Sequence, residues 1–455
     1  MFADKKVLIV GMARSGIAAT QLLLGRALAV KINDIKTRDK FDVALDDIIQ
    51  NGAVDALGIP PDDLIDDCDM VVISPGVPID LPFIKKAKAQ GKSVIGELEL
   101  ASRFLKGLLV AVTGTNGKST TTTLIGEIFK NAGRLSYVVG NIGIPFSDVV
   151  SAIKPEDVAA VEVSSFQLES IETFRPSCAA LLNITEDHLN RHGTMENYIA
   201  TKMNIFSNQK SGDYAVLNYD DALVRANAKG MSAKKVWFSR KQKVTFGVWV
   251  DQDGNIVYGS PEANRVVCAS AEILLPGAHN LENALAATAV AAVSGVQLPV
   301  IRHTLKTFSG IEHRIETVKE IAGVRYINDS KGTNVDATIA AVKAMARPTV
   351  ILLGGYDKHT DFDPLSKVIK DSMIKTAVVL GQTKGQIEES LRRCGFDSIV
   401  AADGFEDAVN KAAEMSVYGD NVLLSPACAS FDMFTDFEER GKVFKEIVCR
   451  LNERR

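Results

Sequence analysis

Thr113-Gly114-Thr115-Asn116-Gly117-Lys118-Ser119-Thr120 follows the apolar run Leu108-Leu109-Val110-Ala111-Val112 and precedes a helix predicted over Thr121 to Asn131. Glycines in such a turn let backbone N–H groups close on phosphate oxygens, and the amino end of the next helix favours negative charge. Lys118 is placed to reach terminal phosphates and the Ser119 hydroxyl to sit on Mg²⁺. Strand, loop and helix together predict a nucleoside-triphosphate site. The strict GxxxxGK[ST] spacing is missed, because its first glycine falls at Val112, and Gly114 supplies the turn instead.

Upstream, Val7 to Val10 reads as a strand, Gly11-Met12-Ala13-Arg14-Ser15-Gly16 as a turn and Ile17 to Arg26 as a helix, with a second strand from Ala29 to Ile32 ending at Asp34. The turn imitates a dinucleotide fingerprint, but Ala13 replaces the middle glycine that lets a pyrophosphate approach. NAD, another nucleotide or sugar diphosphate, and a plain strand-to-helix turn all remain open for it. A further strand, Met70 to Ser74, closes on Pro75-Gly76-Val77-Pro78.

Downstream, Glu162 closes the strand Val158 to Val161, and His188 follows the strand candidate Ala179 to Ile184. In a phosphate-loop sheet these strand ends face the triphosphate, so a carboxylate and a neutral imidazole there suit a divalent cation. A lone histidine is more often structural, and Asp187 has an alternative as cap of a helix starting near Leu189. A helix is predicted over Asn280 to Val293.

From Gly310 the alternation repeats: strands at Val324 to Asn328, Thr349 to Leu353, Ala377 to Leu380, Ile399 to Ala402 and Val422 to Leu424. Three of them end in Asn328-Asp329-Ser330-Lys331-Gly332-Thr333-Asn334, Gly354-Gly355-Tyr356-Asp357-Lys358 and Ser425-Pro426-Ala427-Cys428-Ala429-Ser430. Hydroxyls, amides and lysines gathered at one end of a sheet suit a small anion, though turn and cap chemistry selects the same residues.

At about 150 residues per domain, the 455 residues predict three domains. The motifs place the boundaries at 1–97, 98–309 and 310–455: a Rossmann-like domain, a central P-loop ATPase-like domain and a second Rossmann-like domain. With 52 basic and 56 acidic residues there is no positive field to hold a nucleic acid. The longest apolar tract, Ala284 to Val293, is far short of the ~20 residues of a membrane span. The amino terminus enters its first strand without an apolar leader, so a cytoplasmic protein is expected. Six cysteines without a CxxC pair predict reduced, mostly buried thiols.

Taken together these motifs resemble the Mur ligases of peptidoglycan synthesis over essentially the whole chain. The shared marks are Thr113 to Ser119, Glu162, His188, Tyr198 to Lys202, Gly277-Ala278-His279-Asn280 and His313-Arg314. Folate-polyglutamate ligases share several of these, and a non-catalytic nucleotide-binding module would also carry the loop. The runs from Asn328 to Asn334, Leu353 to Lys358 and Leu424 to Ser430, with Gly140-Asn141-Ile142-Gly143, are similar to those of the D-glutamate-adding members.

The resemblance implies an enzyme of three α/β domains using ATP and two Mg²⁺ ions, with UDP-MurNAc-L-Ala and D-glutamate as small-molecule substrates. It implies a cytoplasmic monomer acting through an acyl phosphate, with no protein nucleophile. Lys118, His188, Lys202 and Lys331 are the implied catalytic set, and Ser119, Glu162, His188 and Lys202 the metal set, Lys202 as a carbamate. Sequence alone would make Lys202 a solvated helix lysine. ATP is implied at Gly114, Thr115, Asn116, Gly117, Lys118, Ser119, Thr120, Asn280, Asn283, Arg314 and Asp329. The UDP-sugar is implied at Arg14, Ser15, Asp34, Ile35, Ser74, Gly76 and Asn141, and D-glutamate at Thr333, Lys358, Ser430 and Phe437.

Overall fold

The apolar run ahead of the phosphate loop forms the strand Leu108–Thr113, whose residues 109–113 are buried on both faces. It sits near the middle of a sheet, as a near-continuous apolar strand must. The structure is a computed structural model that describes residues 2–41, 43–275, 277–357 and 360–451. It divides into two compact units, Met1–Phe308 and Ser309–Arg455.

The first unit carries two sheets. One is all parallel, in the order Val54–Asp55, Ala29–Asn33, Lys6–Val10, Met70–Ile73, Ser93–Gly96. In the other, Ser136–Gly140, Val158–Glu162, Leu108–Thr113, Cys178–Leu181, Tyr214–Asn218, Lys234–Ser239 and Gly247–Val250 are parallel neighbours in that order. Antiparallel strands Asn255–Gly259 and Asn264–Ala269 extend its far edge. That hairpin has short polar-flanked strands and no motif, and sequence reading passed over it.

One apolar core runs from the first sheet, through Val7, Ile9 and Val72, to one face of the second, at Leu109, Ala111 and Val161. This continuity is why the sequence-expected first and second domains form one unit. Glu99 fastens the helix that follows the first sheet to the loop 172–174. Fully buried on the helix Glu97–Ser102, it accepts the backbone N–H groups of Glu172, Thr173 and Phe174 at 2.9, 3.0 and 2.7 Å. It also takes the Thr173 hydroxyl at 2.6 Å and Arg103 at 2.8 Å.

On the other face of the central sheet, the helices Lys118–Asn131 and Ala278–Val293 pack against each other and against Val110, Val112 and Val158. The second helix is Ala-rich where it is buried, which lets the two approach closely. Both helices begin earlier than predicted: Lys118, not Thr121, opens the first.

The second unit holds one sheet, in the order Glu316–Ile321, Val324–Asn328, Asn421–Leu424, Thr349–Gly354, Ile374–Leu380, Ile399–Ala401. Only its first pair is antiparallel. Cores cover both of its faces. No helix among the described residues is long and apolar enough to cross a membrane. The cysteines are free, four buried, Cys394 half-buried and Cys449 exposed.

Candidate functional site

The phosphate loop is held from two sides. Gly117, at φ 84°, adopts the left-handed conformation that caps the helix Lys118–Asn131. A Cβ there would collide with Asn283 Oδ1, so glycine is required both by the backbone and by the helix beside it. Asn283 is nearly buried, and its amide contacts Thr121 Oγ1 at 3.3 Å and Asn280 Oδ1 at 3.3 Å. On the other side, Asn183 stitches the loop: its carbonyl accepts Thr115 N–H at 3.0 Å, its Oδ1 accepts Asn116 N–H at 2.8 Å, and its Nδ2 donates to Asn116 O at 3.1 Å. Lys118 Nζ folds back to donate to Gly114 O at 3.0 Å and Thr115 O at 2.9 Å. Ser119 and Thr120 are half-buried in the first helical turn.

Glu162 closes its strand one sheet position away and is 2% exposed. Its Oε1 accepts Asn141 Nδ2 at 2.7 Å, while Oε2 is buried with no hydrogen-bond partner among the described residues. A buried carboxylate oxygen lacking a donor is what a cation would satisfy. His188 stands in the left-handed region at φ 52° as the residue preceding the helix Leu189–His192, with its side chain half exposed. Among the described residues no side chain caps that helix, so Asp187 does not serve as its cap; its Oδ2 lies 3.4 Å from His188 Nε2. Among the described residues no group of three His, Cys, Asp or Glu side chains forms a ready metal centre.

Lys202 is not a solvated helix lysine. It is 2% exposed, and its Nζ donates to Gly114 O at 2.9 Å and stands over the Tyr198 ring at 4.7 Å. Burial, then the Lys118 charge, pull its pKa from 10.5 down to about 7. Tyr198 in turn meets Thr115 Oγ1 at 3.1 Å, and burial lifts its phenol to about 12. The amine therefore sits neutral, packed against the phosphate loop, at mildly alkaline pH.

In the first sheet, Gly11 at φ 92° and Gly16 fold the turn so tightly that a Cβ on Gly16 would strike Gly11 O. Ser74 is buried and its Oγ donates to Gly11 O at 2.6 Å. Asp34 is already engaged, Oδ2 accepting Met12 N–H at 2.8 Å and Oδ1 accepting Lys36 N–H at 3.0 Å. Arg14 and Gly76 are exposed, Ser15 half-buried, and Ile35 is 88% exposed, an unusual state for isoleucine. The charge of Arg14 bears on Asp148.

In the second unit, Asp329 is buried, with Oδ2 accepting Ser425 Oγ at 2.6 Å and Oδ1 accepting Ile315 N–H at 3.1 Å. Burial lifts its carboxyl to about 6, the two hydrogen bonds and the charges of Arg314 and Arg440 opposing this. Arg314 itself is exposed. Lys331 Nζ lies over the Phe437 ring at 5.7 Å. Thr333 is half-buried beside it and Ser430 is 2% exposed. Lys358 lies outside the described residues.

Comparison with known proteins gives a consistent answer over this whole length. Residues 5–96 match the Mur ligase MurD-like N-terminal domain, 112–291 the Mur ligase middle domain, and 313–428 the Mur ligase glutamate ligase domain. A protein of Pelotomaculum thermopropionicum is 49% identical over 453 residues, covering 99% of each chain. One from Clostridioides difficile is 48% identical over 449 residues, 98% of this chain and 99% of its own. Both are named UDP-N-acetylmuramoylalanine--D-glutamate ligase. The chain belongs to the Mur ligase family.

Solved Mur ligases share its fold at low identity. The UDP-N-acetylmuramate-alanine ligase MurC of Thermotoga maritima aligns at TM-score 0.56 and 18% identity, over 99% of this chain and 100% of that one. The MurF ligase of the same organism, in complex with ADP, aligns at 0.56 and 17%, over 93% and 96%.

Sequence reading missed several residues of this Mur ligase that hold the site. Asn183 lay inside a quoted stretch but carries no motif. Arg440 reads as an ordinary helix charge, yet is 1% exposed. It donates to Ser330 Oγ and O, both at 2.9 Å, and to Cys428 O at 3.1 Å and Ala429 O at 3.3 Å, locking two of the strand-end loops together. Burial lowers its pKa to about 10, leaving it charged at neutral pH. Its neighbour Gly441 leaves room for the His313 ring, which a Cβ there would strike.

Proposed function

We propose that this Mur ligase joins D-glutamate to UDP-N-acetylmuramoyl-L-alanine at the expense of ATP, through an acyl phosphate. The near full-length identity with the D-glutamate ligases supports the substrates. The single structural observation that carries the chemistry is the buried amine of Lys202 against Gly114 of the phosphate loop.

The lactyl-alanine carboxylate attacks the γ-phosphorus and ADP leaves; the amine of D-glutamate then attacks the acyl carbon, releasing phosphate and the amine's proton. Such a phosphoryl transfer needs positioning and charge neutralisation above all. Loop amides from Gly114 to Thr120 and Lys118 take the phosphates, with Asn280 and Asn283 on the nucleotide side. Ser119, Glu162, His188 and carbamylated Lys202 would hold two Mg²⁺ ions. Bound there, Mg²⁺ would draw charge off the transferring phosphoryl group.

Lys202 contributes by changing sign. Its neutral Nζ adds to CO₂, an N–C bond forms and a proton leaves to solvent, replacing a cation that would repel a metal by an anion that attracts it. Burial makes the neutral form accessible near pH 7. Arg14, Ser15, Asp34, Ile35, Ser74, Gly76 and Asn141 are assigned to the UDP-sugar. Arg314 and Asp329 are assigned to ATP, and Lys331, Thr333, Lys358, Ser430 and Phe437 to D-glutamate and the reacting carboxyl group.

Incubation with ATP, Mg²⁺, UDP-MurNAc-L-Ala and D-glutamate, read by mass spectrometry, should give a product heavier by one glutamyl residue. Consumption of a folate with no consumption of the UDP-sugar would instead make the chain a folate-polyglutamate type of ligase.

A further inference from the structure

Between His188 and Lys202 runs an uninterrupted file of rings. His188 packs on Phe166 with centroids 4.9 Å apart, Phe166 on His192 at 5.6 Å, His192 on Tyr198 at 5.1 Å, and Lys202 Nζ caps Tyr198 at 4.7 Å. Its middle member, His192, is 7% exposed. One ring nitrogen, Nε2, meets Ser165 Oγ at 3.0 Å, and Nδ1 lies 3.5 Å from Glu169 Oε1.

The anchors are themselves fixed. Ser165 opens a short helix whose preceding Ser164 and Gln167 form a reciprocal capping box. Glu169 also pairs with Arg191 Nη2 at 2.7 Å, and Arg191 reaches Val77 O at 3.1 Å while covering the Phe166 ring at 5.0 Å. The Ser165 hydrogen bond holds the His192 ring, with the Glu169 carboxylate beside it, where it meets both Phe166 and Tyr198.

We propose that His192 is a positioning residue for the reaction: held by Ser165 and flanked by Glu169, it fixes through Phe166 the ring of His188 and through Tyr198 the amine of Lys202. The proposal rests on the reading of His188 and Lys202 given above and adds the element that sets their geometry together. Packed ring pairs have preferred offsets, so removing the middle ring, stacked on Phe166 and tilted on Tyr198, frees both neighbours. A small misplacement of a positioned group costs rate more than affinity.

His192→Ala should lower kcat about 10–100-fold, the usual range for outer partners of a metal site, with the ATP KM changed by less than about threefold. It should also weaken the ¹³C carbamate resonance that ¹³C-bicarbonate gives on Lys202 in the wild-type protein. His192→Phe keeps a ring in the file and should retain most of the carbamate resonance, with kcat well above that of His192→Ala. Wild-type kcat and carbamate signal in His192→Ala, whatever its melting temperature, would overturn the proposal. If His192→Ala does not fold, loss of the carbamate signal in folded His192→Phe would overturn it instead. A Lys202→Ala variant separates the two levels: full activity there removes the reading of the site, whereas an inactive Lys202→Ala beside an unaffected His192→Ala removes only this proposal.

Discussion

Lys202 Nζ donates to the carbonyl oxygen of Gly114 at 2.9 Å, which ties a buried amine to the first glycine of the phosphate loop. An amine in that place can act only if it is neutral or modified, since Lys118 already supplies the loop with a cation that disfavours a second one.

Lys202→Ala should therefore abolish turnover, and a small carboxylate such as acetate should restore part of it; activity near that of the wild type without rescue would sink the assignment. The pH dependence has a definite sign. With its folded pKa lowered to about 7, the amine is neutral above that pH and protonated below it. The ¹³C carbamate signal of the metal-free enzyme should accordingly fade as pH drops through about 7, and a signal unchanged down to pH 5.5 would contradict it.

Gly117→Ala tests the loop's fit against the neighbouring helix. A side chain at φ 84° costs ~1–2 kcal/mol in backbone energy alone, and its Cβ must displace Asn283 Oδ1. kcat/KM for ATP should fall about tenfold or more, with binding of the UDP-sugar unchanged in calorimetry. An equal loss of both affinities would mean the glycine supports folding generally.

Glu99→Ala should be the more damaging change to stability. It strands three backbone N–H groups and Arg103 in a buried place, so the urea-derived unfolding free energy should drop by roughly 3–5 kcal/mol. Burial pushes the Glu99 carboxyl up, but the hydrogen bonds from Thr173, Glu172 and Arg103 outweigh it and hold it below the ordinary range. Its contribution is present above the ordinary glutamate pKa and is lost as pH falls through the lowered one, so wild type and variant should converge in acid. A constant gap from pH 3 to pH 8 would refute the ionic part of this account.

Asp329 has the opposite sign. Its folded carboxyl, near 6, binds protons more tightly than an unfolded aspartate, so stability decreases as pH rises from about 3.8 to 6. Relative to Asp329→Asn, which does not titrate, wild type should lose about 1–2 kcal/mol between pH 5 and pH 7.5. Chemical denaturation followed at both values would show parallel behaviour of the two proteins if the carboxyl were ordinary.

How much of this is legible in the sequence depends on whether a residue acts through a local pattern. The strand and glycine turn at 108–119 announce themselves, because phosphate binding needs contiguous residues. Glu162 is readable once a parallel sheet is assumed, since it closes its strand, whereas His188 stands well beyond the strand Cys178–Leu181, just ahead of the helix Leu189–His192. The burial of Lys202 is not readable, because it depends on Tyr198 and Gly114 closing around it. Nor is the Glu99 cluster, where the partners are loop N–H groups more than seventy residues away. His192, Asn183 and Arg440 belong to the same class, being defined by what the fold brings to them.

The acyl phosphate can be tested directly by isotope transfer. With ¹⁸O in the terminal carboxylate of UDP-MurNAc-L-Ala, and with ATP and D-glutamate present, the released inorganic phosphate should carry one ¹⁸O per molecule, since the attacking carboxylate oxygen leaves with phosphorus. Unlabelled phosphate accompanying ligated product would contradict the account.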